Sequence, residues 1–313
     1  MFNELVLSGG GIKGIAMIGA LSYLEDIHIL KNIKRFIGTS VGGFISFLLV
    51  IGFNCDELKK IAINLDFDNY SDITLSNLFN EYGLDSFNKI MRIIIAIIKQ
   101  KDIDKNITFK DLYKKTKKKL IITGSNITKS RLELFSKTIT PNMKVLDALQ
   151  ITMSIPFIFK PVFYNDDYYV DGGLYDPYPI KYAKNLNKTI GIFLKKNDNI
   201  SKNIIINSLS SYIFQVLKCY YDEFKERIIT KKKYRKCTII VDAEMIISVN
   251  LKLDIDNKIN IMKIGREMSK RYIENIFNKK RLNYFLKRYY LNKYYIKNNK
   301  NNKLLHIKIP SDE

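Results

Sequence analysis

Hydrophobic positions along the chain fall into short runs that alternate between two periods. Leu5-Val6-Leu7-Ser8 is a continuous apolar run that stops at Gly9-Gly10-Gly11, the pattern of a buried strand ending in a glycine turn. Residues 14–30 then carry Ile15, Ile18, Leu21 and Leu24 at helical spacing. Residues 33–37 read as a second strand ending at Gly38. Residues 41–51 are apolar nearly all round and predict a buried helix. Strand, helix, strand, helix predicts an α/β fold with a mostly parallel sheet, joined by right-handed crossovers.

The pattern continues less regularly. Asn54 and Glu57 have the spacing of a capping box, predicting a helix that reaches about residue 65. Residues 90–98 are strongly apolar among Lys89, Arg92, Lys99 and Lys101. A core helix is the favoured reading there, with a lid or interfacial helix as the alternative. Residues 120–122 and 132–135 read as strands, and 145–153 as a helix followed by Ser154-Ile155-Pro156 and Pro161. Residues 168–170 form a short strand pattern running into Asp171-Gly172-Gly173. Further on come a strand at 189–194, a helix at 204–229, a strand at 238–241 and a helix at 265–277, the last with Met268, Tyr272, Ile273 and Ile276 inward. Asp254-Ile255-Asp256-Asn257 lacks the rest of a calcium loop and reads as a turn. No internal repeat is apparent.

Composition narrows this picture. The 313 residues are 46% hydrophobic, enough for a full core, so the chain is not a disordered one. The formal net charge of +21 suits an anionic partner, either nucleic acid or an acidic membrane surface. Cys55, Cys219 and Cys237 are odd in number without C-x-x-C spacing, which argues against a disulfide framework or a zinc site. No basic segment followed by an apolar one opens the chain, so no secretory signal is expected. The longest apolar runs fall short of the roughly 20 residues a membrane span needs. The expectation is an intracellular protein, cytoplasmic or peripheral to a membrane, with no transmembrane helix.

Candidate chemistry enters through glycine. Nine of the fifteen glycines sit at residues 9–14, 38–43 and 172–173, each at the end of a predicted strand, where positive φ or close approach is needed. Gly38-Thr39-Ser40-Val41-Gly42 reads as a G-x-S-x-G nucleophile elbow, with the following helix aiming its N-terminus at Ser40. In the run Gly9, Gly10, Gly11, Lys13 and Gly14, the glycines offer backbone amides without side-chain obstruction for an oxyanion, and Lys13 adds positive charge nearby. The rival dinucleotide reading wants an acidic residue about twenty positions on, where the chain has Ile29, Leu30 and Lys31. A serine needs a base, and the only histidines are His28 and His306. Asp171, before Gly172 and Gly173, ends a hydrophobic strand and could meet Ser40 at the sheet edge.

The ordered set G-G-G-x-[RK]-G, G-x-S-x-G and D-G-[AG] resembles the patatin-like phospholipases over about residues 5–194, the first 60% of the chain. Met153-Ser154-Ile155-Pro156 with Phe159 and Pro161 is similar to the segment before that family's Asp motif. The chain departs from the family pattern at Val41, where Ala is common. The resemblance implies a three-layer α/β/α fold and a Ser40–Asp171 dyad without histidine. It further implies an acyl-serine intermediate, no metal or other cofactor, and a phospholipid or other acyl-ester lipid as substrate. Ser40, Asp171 and His306 also follow the order of an α/β-hydrolase triad. The triad is disfavoured because Ser40 comes early and His306 lies beyond a Lys/Asn-rich stretch.

Residues 1–278 are expected to form the catalytic domain and 279–313 a basic amphipathic tail. In the tail Leu282, Phe285, Leu286, Tyr289 and Tyr290 share one helical stripe, with Lys279, Lys280, Arg281, Lys287, Arg288 and Lys293 around it. Such a pattern suits an anionic membrane surface, or equally a helix docked on the domain. Nucleic acid is the less favoured partner. A catalytically inactive membrane- or nucleic-acid-binding protein on the same scaffold is the alternative function.

Overall fold

A computed structural model describes residues 2–64, 75–195, 206–242 and 254–277. The chain opens with strand β1 (Glu4–Leu7), a single 3-10 turn at Gly11–Lys13 and helix α1 (Gly14–Asp26). The helix stops four residues short of the expected residue 30, because His28 takes a left-handed φ of 61° that a continuing helix does not allow. Strand β2 (Arg35–Gly38) and helix α2 (Val41–Val50) follow. Next comes α3 (Cys55–Asn64), opened by the expected capping box: Asn54 N–H donates to Glu57 at 2.8 Å, and Glu57 N–H to Asn54 Oδ1 at 2.8 Å.

Helix α4 (Leu75–Glu81), strand β3 (Gly83–Asp85), helix α5 (Asn88–Lys99) and helix α6 (Phe109–Thr116) lead to strand β4 (Lys119–Asn126). Helix α5 is the apolar segment left between two readings, and burial of Ile94, Ile97 and Ile98 makes it a core helix. Then come β5 (Arg131–Ser136), α7 (Val145–Met153), β6 (Phe157–Phe159), β7 (Val162–Tyr164), β8 (Asp167–Asp171) and β9 (Thr189–Lys195). Helices α8 (Leu209–Ile229) and α9 (Lys232–Arg235), strand β10 (Thr238–Asp242) and helix α10 (Ile255–Ile276) complete the described elements.

The main sheet runs β10-β9-β1-β2-β4-β8-β7, with β5 also paired to β4. Strands β10, β9, β1, β2 and β4 are mutually parallel. The hairpin β7–β8 and strand β5 run antiparallel to their neighbours. Strands β3 and β6 pair separately. Val6, Ile37 and Ile121 are in register across three strands. They share one core with Tyr178, Phe193, Ile229 and Tyr234. Their neighbours Leu5, Leu7, Phe36 and Ile122 are buried too, and strand alternation sends those to the opposite face, where α1, α2 and α7 pack. The architecture is three-layered, α/β/α, around a mostly parallel sheet.

Helix α10 begins ten residues earlier than expected. Asp254 is no turn residue: its Oδ1 accepts the Asn257 N–H at 2.7 Å, so it caps the helix. Of the expected inner face Ile273 is buried and Met268 and Tyr272 are half-buried, so the inward stripe is shifted rather than reversed. Ile261, Met262, Ser269 and Ile273 are buried, whereas Ile276 is exposed. Residues 1–269 form one compact unit and 270–313 a second, of which the described part is the end of α10 and Phe277. The predicted tail, 279–313, lies outside the described residues, as does His306.

Candidate active site

The three glycine clusters meet at one end of the sheet. Gly38 ends β2 beside Ile122 of β4, and Asp171 ends β8 beside Gly124 of the same strand. Strand β5 pairs with both Ile122 and Gly124 on the other edge of β4, so Gly38 and Asp171 face the same edge of that strand, two residues or ~7 Å apart along it. Ser8, at the end of β1, donates its N–H to the Ile192 carbonyl of β9 at 3.1 Å, which brings the glycine run to the same end of the sheet.

Ser40 occupies the turn between β2 and α2 at φ 54°, ψ −130°, a conformation costing about 1–3 kcal/mol that surrounding structure must hold. Five hydrogen bonds, three on Ser40 and two on Thr39, hold the turn. Its N–H donates to Thr152 Oγ1 at 2.9 Å. Its carbonyl accepts the N–H of Gly43 at 2.8 Å and of Phe44 at 3.2 Å. Thr39 Oγ1 bonds Thr123 Oγ1 at 2.8 Å and donates to the Asp176 carbonyl at 3.0 Å. Gly42 is required here because any Cβ would overlap the Ser8 carbonyl oxygen, and a Cβ at Gly38 would overlap the Gly42 backbone. Ser40 is buried, as the first residue outside α2.

Asp171 is buried and fixed on three sides. Its N–H donates to the Ser154 carbonyl at 2.8 Å. Its carbonyl accepts the Ser125 hydroxyl at 2.8 Å. Its Oδ1 accepts the Gly173 N–H at 2.6 Å. Thr152 and Ser154, one holding Ser40 and the other Asp171, stand two residues apart at the end of α7. That single turn therefore ties the backbone of both residues to one element.

The glycine run lies against the elbow. A Cβ on Gly9 would stand 3.4 Å from the Ser40 Cβ. The Gly9 N–H, however, donates to the Pro177 carbonyl at 2.8 Å, so Gly9 is corrected from amide donor to close-packing residue. The N–H of Lys13 bonds the Gly10 carbonyl at 3.1 Å. That of Gly14 bonds the Gly11 and Ile12 carbonyls. Both are thus consumed by the turn. The N–H groups of Gly10 and Gly11 have no acceptor among the described residues. Gly11 takes φ 53°, the left-handed conformation that glycine adopts freely. Burial pushes the Lys13 ammonium pKa down; Asp222 of α8 raises it and Lys218 lowers it further.

Three residues of the site carry no motif. Thr152 sits in an apolar helical stretch and reads there as core. The Tyr221 ring on α8 comes within 3.0 Å of a Cβ built on Gly173. Its hydroxyl is buried with no hydrogen-bond partner among the described residues; burial, then the charge of Asp171, pushes its pKa up. Asp176 is a second buried acid, paired with Lys181 at 3.0 Å. Its only forewarning is its position five residues after Asp171. Desolvation pushes its carboxyl pKa up against the pull of Lys181. His28 lies past the far end of α1, whose thirteen residues span ~20 Å away from the glycine run, and so cannot reach Ser40. Among the described residues no helix is long and apolar enough to cross a membrane.

A family model described as patatin-like phospholipase matches residues 5–184. Protein R571 of Acanthamoeba polyphaga mimivirus is 34% identical over 287 residues, covering 88% of this chain and 95% of that protein. A protein named probable lipid hydrolase 463L, of Invertebrate iridescent virus 6, is 38% identical over 229 residues, covering 70% of this chain and 74% of that one. Among solved structures, VipD from Legionella pneumophila aligns with a TM-score of 0.61 at 16% identity, over 88% of this chain and 67% of the other. At that identity the likeness shows a shared fold.

Proposed function

Since the chain belongs to the patatin-like phospholipase family, we propose that it is a lipid acyl hydrolase of the phospholipase A type, working through Ser40 and Asp171. Ser40 Oγ attacks the ester carbonyl carbon while the Asp171 carboxylate takes its proton. The N–H groups of Gly10 and Gly11 hold the oxyanion, each worth about 3–4 kcal/mol by analogy with measured oxyanion holes. Collapse breaks the ester C–O bond, and Asp171 returns the proton to the leaving alcohol. Water then attacks acyl-Ser40, giving its proton to Asp171, which passes it to Ser40 Oγ as the C–Oγ bond breaks and the fatty acid leaves. Lys13 adds positive charge beside the glycine turn, and no metal ion takes part.

The observation that carries this reading is the strained φ of Ser40, held by Thr152 on the same turn whose Ser154 carbonyl holds Asp171. Strain maintained by so many partners is the mark of a site rather than a chance turn. Residues 1–278 serve as the catalytic unit. The basic tail, 279–313, brings the enzyme to anionic membrane surfaces as a peripheral protein.

A panel of phospholipids, lysophospholipids and neutral lipids, assayed with wild type beside Ser40→Ala, tests the reading. Fatty-acid release by wild type and none by Ser40→Ala is expected. Equal release by the two, or none by either, would favour the inactive-scaffold alternative.

A further inference from the structure

Helix α8 turns one face toward both turns of the site. Lys218, Tyr221 and Asp222 are three and four residues apart, so they share a helix face. Lys218 and Asp222 stand near enough to Lys13 to act on its charge. Tyr221 meets the turn that follows Asp171. Its Cε1 and the Asp171 Oδ1 both lie within 3.0 Å of the point that a Cβ on Gly173 would occupy. The neighbouring Tyr220 pins the helix there, donating its hydroxyl to the Leu174 carbonyl at 2.7 Å.

The two hydroxyls differ in one respect. That of Tyr220 is spent on the turn, whereas that of Tyr221 is buried with no hydrogen-bond partner among the described residues. A phenylalanine would fill the same space without the cost of burying an unpaired polar atom. Packing alone therefore gives no reason for the oxygen. Burial, then the charge of Asp171, raises the pKa of the phenol, so the group stays protonated and able to donate.

We infer that the Tyr221 hydroxyl is a further catalytic group, donating a hydrogen bond to the alkoxy oxygen of the ester as the C–O bond breaks. The inference rests on the Ser40–Asp171 reading and deepens it by assigning the leaving-group side of the site. With the carbonyl oxygen at the Gly10 and Gly11 amides, the alkoxy oxygen faces Asp171, which returns the proton to it. Tyr221 stands beside that carboxylate. Its hydrogen bond stabilises the negative charge developing on the alkoxy oxygen while Asp171 delivers the proton. The phenol keeps its own proton throughout, so the proton balance of the dyad is unchanged.

The consequence is selective for the leaving group. An alkoxide leaves poorly and needs the donor, whereas 4-nitrophenolate spreads its charge over the ring and does not. Two esters with one acyl chain, 1-octanoylglycerol and 4-nitrophenyl octanoate, isolate this difference. Tyr221→Phe should lower kcat/KM by about ten- to a hundredfold on the first and by about twofold or less on the second. Its urea midpoint should not fall, because the lost hydroxyl had no partner to lose. Tyr220→Phe, which removes the tie to Leu174, is the control for packing and should act on both esters alike. Equal losses on the two esters in Tyr221→Phe, or none, would overturn the role of Tyr221 and leave the dyad standing. So would an upward shift of the acid limb of kcat/KM common to both esters, which would put the hydroxyl on the Asp171 carboxylate instead. Wild type that hydrolyses neither ester, or does so equally well as Ser40→Ala, would overturn the dyad and the role of Tyr221 together.

Discussion

Ser40 and Asp171 owe their positions to residues that carry no chemistry of their own. Thr152 is fully buried and is the acceptor for the Ser40 N–H. Thr152→Val keeps the shape but leaves that amide unpaired, at about 1–3 kcal/mol. The expected outcome is a lower urea midpoint together with a kcat loss on the order of ten- to a hundredfold, since a shift of about 1 Å in an attacking atom has that effect. A stability loss with kcat unchanged would reduce Thr152 to a packing residue. Ser40→Ala and Asp171→Asn should each abolish ester hydrolysis, whereas His306→Ala should not; loss of activity in the histidine variant would restore the triad. Ser40 and Asp171 were legible because glycine marks strained backbone in any sequence. Thr152 was not, because a hydroxyl in an apolar helix looks like any core threonine. Gly9 was misjudged for a related reason: a glycine run shows where amides are accessible, but not which of them a carbonyl such as that of Pro177 already uses.

At the scale of elements, local signals read well and long-range ones did not. The Asn54–Glu57 box and the bounds of α7 followed from spacing alone. The start of α10 did not, because Asp254 caps the helix with a side chain that equally suits a turn. Strands β3, β6 and β7, three residues each, are too short to show a period and exist through their partners. The crossing of α1 and α10 depends on two glycines outside the catalytic clusters. A Cβ on Gly19 would overlap the Met262 carbonyl oxygen, and one on Gly265 the Ala16 carbonyl oxygen. Gly265→Ala should therefore destabilise by about 1–3 kcal/mol or more through overpacking, although alanine favours helix. A chemical-denaturation midpoint that rises instead would show that the helices can separate at little cost.

For the whole molecule, the order of apolar runs predicted the parallel half of the sheet, because each βα unit leaves its own periodicity. The antiparallel half came from pairings of β4 with β5 and β8 that no local pattern announces. Charge acts at this scale as well. The net +21 and the basic residues of 279–293 predict that deleting 279–313 weakens binding to anionic vesicles, with the effect fading as salt rises. Unchanged binding by a folded truncated protein would reject a membrane role for the tail. The account as a whole turns on one nucleophile. Its most direct test is reaction of the intact protein with a fluorophosphonate probe, followed by mass spectrometry of the labelled peptide. The expected result is a single adduct on Ser40, lost in Ser40→Ala and strongly slowed in Asp171→Asn. An adduct on another serine, or labelling of Ser40 that is indifferent to Asp171, would contradict the dyad.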